Sequence, residues 1–234
     1  MGQRHQLYFR TWGEKDRKES TDRAIKPRWH CFHSQWCYGS MPLRLLKWVL
    51  EFESNADAYC KLSRKEITRD DIREVITQLI STNAADGYHQ SVLVEDELMV
   101  KGIPDPNLGD NNDGITVLDL TGKRPKYAFV LLEDETGYAP LTGEQYAAGY
   151  YQKGSKDWKA FKIDSWHKYI QKHADLLTVE ELAEFFPRAW NPILLERAEI
   201  RKDPKNIPVL LADGLVYKAA NRAYAEDILK GRKA

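Results

Sequence analysis

Three cysteines in 234 residues are too few for a disulfide framework, and no apolar run approaches the length of a membrane span. Net charge is also missing. Lysine plus arginine and aspartate plus glutamate stand at 35 each, so no global field gathers nucleic acid or an anionic membrane. The chain has no Gly-rich phosphate loop, no Gly-x-Ser-x-Gly elbow, no Cys-x-x-Cys pair and no His-Glu-x-x-His. Gln6 stands where an N-myristoylation signal after Met1-Gly2 requires Ser or Thr. These absences predict a soluble cytoplasmic protein without a membrane partner.

What is present is an ordinary globular composition, 42% hydrophobic and 30% charged, with enough length to bury a core. The charge balance hides a local asymmetry. Residues 1–50 hold ten Lys/Arg against four Asp/Glu, and residues 86–145 hold four against twelve. The last 34 residues return to eight against four. Basic ends around an acidic middle either attract each other within one fold or leave a basic face for an anionic partner.

Periodicity predicts a first strand over 6–12, a charged loop over 13–26 and a second strand over 28–32. Pro42 opens a dense apolar helix through Leu43, Leu46, Trp48, Val49, Leu50 and Phe52. Thr68 caps a second helical stripe over 72–80. Short strands are expected over 91–94 and 97–100, a loop over 103–112, and a hairpin from 115–120 and 127–132. Thr142 with Gln145, and Thr178 with Glu181, have capping-box spacing, and an aromatic-rich helical region lies between them. A last amphipathic helix is read over 215–229. The expectation is one α+β domain over 1–234: an antiparallel sheet formed within 1–135, with packed helices and a mainly helical C-terminal part over 136–234.

Reactive residues crowd into Trp29-His-Cys-Phe-His-Ser-Gln-Trp-Cys-Tyr-Gly39. His30 and Cys31 are strand neighbours and face opposite ways, so the spacing does not make a zinc finger, and no metal is expected. Cys37 before the Pro42 helix, with His33 nearby and His5 as a second imidazole, allows a nucleophile but does not specify one. Asp110-Asn-Asn-Asp-Gly114 leads into a strand, and a turn is its economical reading, because its glycine and Thr121 break the EF-hand pattern. Tyr146, Tyr150, Tyr151, Lys153, Lys156, Trp158, Lys159 and Lys162 have the composition of a single-strand stacking surface, although aromatics at such spacing more often build a core.

Three blocks together, Gly2-Gln-Arg-His-Gln-Leu7, His33-Ser-Gln-Trp-Cys-Tyr-Gly39 and Asn111-Asn-Asp-Gly114, resemble a family of intracellular proteins. That family opens with Gly-Gln/Asn-Arg-His-Gln and carries a His-x-Gln-Trp-x-Tyr-Gly block. The resemblance implies neither an activity nor a cofactor. Asn-Asp-Gly before a strand is also loosely similar to amidotransferase-like N-terminal-nucleophile folds, but Gly2 stands where that chemistry requires cysteine. The expected site is a polar binding pocket of Arg4, His5, Gln6, His33, Gln35, Trp36, Tyr38, Asn112 and Asp113. It would serve a protein or small polar ligand rather than nucleic acid. The alternative is a hydrolase or transferase using His5, His33, Cys37 and Asp113 in one pocket.

Overall fold

The computed structural model describes residues 4–12, 27–35, 37–62, 90–93, 98–100, 103–109, 111–132, 138–190, 209–210 and 216–217. Its centre is a six-stranded sheet in the order β3-β2-β1-β6-β7-β8. The strands are β1 (Arg4–Trp12), β2 (Pro27–Gln35), β3 (Gln90–Leu93), β6 (Ile115–Asp119), β7 (Lys126–Val130) and β8 (Asp175–Leu176). Two short ribbons pair β4 (Met99–Val100) with β5 (Ile103–Pro104), and β9 (Val209–Leu210) with β10 (Val216–Tyr217).

The α+β class holds, and so does the expected hairpin, with Ile115 opposite Val130 and Asp119 opposite Lys126. The sheet is mixed rather than purely antiparallel: β1 runs parallel to β6, and β7 parallel to β8. Long crossovers join these pairs, and a parallel pair needs such a connection. β1 begins two residues earlier than expected, and β2 runs three residues further, so His33, Ser34 and Gln35 are strand residues. Val216–Tyr217 is a strand where the last helix was expected to begin. Residues 13–26, 72–80 and 218–229 lie outside the described residues.

Strand alternation sorts side chains onto two faces. Leu7, Phe9, Leu118, Tyr127 and Phe129 point to one core, with Leu43, Leu46, Val49 and Leu50 of helix α1 (Ser40–Leu62). Helices α2 (Gly143–Ala148), α3 (Lys156–Ala160) and α4 (Ile163–His173) complete this layer through Tyr146, Trp158, Ile163 and Ile170. Tyr8, Cys31, Ile115, Val117, Ala128 and Val130 point the other way, onto α5 (Val179–Phe185), Phe186 and Trp190. Covering both faces explains why all five residues of β6 are buried. Fully burying each large apolar side chain contributes about 1.5–3 kcal/mol, and the strands and the helices packed on them share that burial.

Both capping boxes form. Thr142 accepts from the Gln145 N–H while the Gln145 side chain accepts from the Thr142 N–H, and Thr178 with Glu181 does the same. They fix where α2 and α5 begin; α2 carries Tyr146, and Tyr150 and Tyr151 follow its C-terminal end. Gly39 sets the entry to α1: its φ is +59°, and a Cβ there would lie 2.4 Å from the Tyr151 hydroxyl.

Candidate functional site

The first residues of β1 lock onto the turn that precedes β6. The Arg4 N–H donates to Asn112 Oδ1 at 2.8 Å and to Asp113 Oδ2 at 3.0 Å, and the Arg4 carbonyl accepts from the Asp113 N–H at 2.9 Å. The turn itself closes through the Gly114 N–H and the Asn111 carbonyl, with Gly114 at φ +85° against the Val130 carbonyl. Asn and Asp supply the side-chain acceptors that such a turn requires.

His5 lies directly beneath. It is 1% exposed, with Nδ1 3.0 Å from the Asp113 carbonyl oxygen and Nε2 2.7 Å from Thr116 Oγ1. A carbonyl only accepts, so Nδ1 carries the hydrogen of that bond, and Nε2 pairs with the Thr116 hydroxyl. Tyr146, one turn into α2, donates to the same Asp113 carbonyl at 2.9 Å. Tyr150, in the turn just past the C-terminal end of α2, donates to Asp113 Oδ1 at 3.1 Å. Burial pushes the Asp113 carboxyl above its ordinary value, while the bonds from Tyr150 and Arg4 pull the other way. Burial, then Tyr150, Cys37 and Asp113, hold the Tyr146 phenol well above its ordinary value, so it remains a donor.

Gln6 points to the opposite face. Its Nε2 donates to the Leu108 carbonyl at 3.0 Å, and its Oε1 accepts from Tyr8 at 2.8 Å and Asn111 at 2.9 Å. His33 pairs with Gln6, and Ser34 pairs with His5. The two imidazoles therefore lie on opposite faces of the sheet, and no common pocket joins them. Gln35 sits opposite Arg4 and is exposed. Trp36 lies outside the described residues.

The expected set thus divides. Arg4, His5, Asn112 and Asp113 are hydrogen-bonded to one another, and Tyr38 joins them through Tyr150, ring centroids 6.2 Å apart. Gln6 and His33 belong to the far side. Cys37 is fully buried on the near side and faces Tyr146. Among the described residues no three His, Cys, Asp or Glu side chains gather as a metal-ligand set.

Thr116 was missed, because a threonine inside Ile-Thr-Val-Leu-Asp-Leu reads only as a strand residue. Tyr146, Tyr150 and Tyr151 were noticed as aromatics; their spacing of four was the available signal that two of them reach Asp113. Above the network the rings continue as a row: Tyr150 to Tyr151 at 6.4 Å, then Tyr151 to Phe161 at 5.1 Å. The Tyr151 hydroxyl accepts from the Ser40 N–H at the start of α1 at 3.4 Å. No family model, curated protein or solved structure matches this chain. No helix among the described residues is long and apolar enough to cross a membrane.

Proposed function

We propose that this chain is a non-catalytic interaction protein of the cytoplasm, and that the row Tyr38, Tyr150, Tyr151 and Phe161 is its recognition face for a protein partner. The observation that carries this reading is the row itself: ring centroids 5.1–6.4 Å apart, three rings half-buried and Phe161 40% exposed. Tyrosine offers apolar area with a polar tip, the composition favoured at interface centres. Hydrogen bonds from Tyr150 to Asp113 and from Ser40 to Tyr151 hold the rings before any partner arrives, which lowers the ordering cost of binding.

Two rival readings fit less well. Single-strand stacking would need Tyr146 and Trp158, and both are buried in the core. A hydrolase or transferase would need His5, His33, Cys37 and Asp113 at one point, but the imidazoles face apart and the thiol is sealed. Membership of the family that shares the Gly-Gln-Arg-His-Gln and His-x-Gln-Trp-x-Tyr-Gly blocks is part of the same proposal, resting on those residues alone.

The test compares proteins retained by the wild type with those retained by a Tyr38→Ser/Phe161→Ser variant of unchanged melting temperature. Truncating central aromatics costs about 2 kcal/mol or more in affinity, about thirtyfold. A partner retained by the wild type should be lost at that scale from the variant. Equal retention by both, or a strictly monomeric protein that retains nothing, would sink the reading.

A further inference from the structure

We propose that a second, separate site binds the phosphate group of a small anion, in the cleft between α1, the β6–β7 turn and the end of α4. The cleft lies at the opposite end of β6 from Asp113 and is independent of the tyrosine row. Its volume is about 290 Å³, at the lower edge of ligand-sized clefts. Lys123 and Arg124 come from the turn, Lys172 and His173 from α4, and Glu53 and Ser54 from α1.

Three permanent cations thus meet one lining carboxylate. Asp175 accepts from Arg124 Nε at 2.7 Å and Glu51 pairs with Lys47, so the positive charge these pairs leave over in the cleft is that of Lys123 and Lys172. Arg124 Nη2 also donates to the carbonyls of Gln171 and Lys172, both at 3.0 Å. These three bonds clamp the guanidinium over the last carbonyls of α4, where they offset the negative end of the helix, and they leave Nη1 uncommitted among the described residues. The Lys123 and Lys172 ammonium groups have no ion-pair partner among the described residues. A fixed guanidinium and two exposed ammonium groups lining one cleft suit a doubly charged tetrahedral oxyanion better than a single carboxylate.

His173 lines the cleft, and its ring stacks on Tyr169 at 4.2 Å. Burial first, then the cations Lys172 and Arg124, hold this imidazole below its ordinary value, with Glu51 opposing them. An anion seated among these groups therefore raises the His173 titration midpoint, an effect that a purely structural role for the lysines would not produce.

The experiment follows the His173 ring resonances of the full chain by NMR. Inorganic phosphate, methyl phosphate and acetate are added at constant ionic strength against a chloride control. The expected result is a saturable shift with phosphate, a raised His173 midpoint, and binding about five- to tenfold weaker in Lys123→Gln/Lys172→Gln. Both lysines are exposed, so the variant should melt as the wild type does, and Lys123→Arg/Lys172→Arg should retain binding. Tighter binding of methyl phosphate assigns the remaining cleft to the organic part of a phosphate ester; equal binding assigns the site to free phosphate. Shifts that stay linear and match chloride, an acetate response equal to phosphate, or saturable binding untouched by the double variant would each overturn the proposal.

Discussion

Replacing Thr116 by valine tests the network under the tyrosine row through the sign of its effect. The hydroxyl lies 2.7 Å from His5 Nε2, and both side chains are buried. Valine keeps the shape of threonine and is at least as well suited to a buried strand, so without the hydrogen bond the change should be neutral or stabilising. With it, the variant removes the partner of a buried ring nitrogen, which costs about 1–3 kcal/mol. For a chain of this size each kcal/mol lowers the melting temperature by about 2–4 °C. Urea unfolding is the assay: the midpoint should fall while the slope stays constant, because the exposed surface does not change. A Thr116→Val protein as stable as the wild type, or more stable, would refute the His5–Thr116 bond.

Other outcomes follow from the same geometry. Tyr146→Phe keeps the ring stacked on Phe129 at 5.1 Å but deletes one of two donors to the Asp113 carbonyl, so denaturation should show a loss of about 1 kcal/mol. Gly39→Ala must adopt φ +59° and meets the Tyr151 hydroxyl; the left-handed backbone alone costs about 1–2 kcal/mol, to be read from the melting temperature. His167 Nδ1 accepts the Glu144 N–H at 3.3 Å, and burial holds its value down against Glu144 and Asp164. The unfolded chain then takes up a proton at about pH 6.5 and the folded chain only at lower pH. Stability contributed by neutral His167 is therefore full above about pH 6.5 and declines as pH falls toward the folded value; His167→Gln should flatten that slope in melts recorded between about pH 7 and 5.

Much of the fold is legible along the chain because it is local. The β6–β7 hairpin, both capping boxes and the Pro42 helix are each set by residues within a few positions of one another. The parallel pairing of β1 with β6 is not, since over a hundred residues separate Gln6 from Ile115 and no turn chemistry encodes their meeting. The division of the site has the same origin. Whether His5 faces His33 depends on the register of β1 against β2, and a slip of one residue moves every side chain to the other face. The observed register pairs His5 with Ser34, which separates two imidazoles that looked equivalent in the sequence. Asp113 was legible as a turn residue, but its bond to Tyr150 comes from a turn far along the chain, just past α2.

The account rests on Thr116, His5, Asp113 and Tyr146 acting as one closed network, and a double-mutant cycle between Thr116→Val and Tyr146→Phe tests this most directly. The two substituted groups do not touch; they communicate through His5 and the carbonyl oxygen of Asp113. Residues in one hydrogen-bond network show coupling of about 0.5 kcal/mol or more, whereas independent sites add within about 0.3–0.5 kcal/mol. Coupling of about 0.5 kcal/mol or more in urea unfolding is the result predicted. Strict additivity would contradict the network.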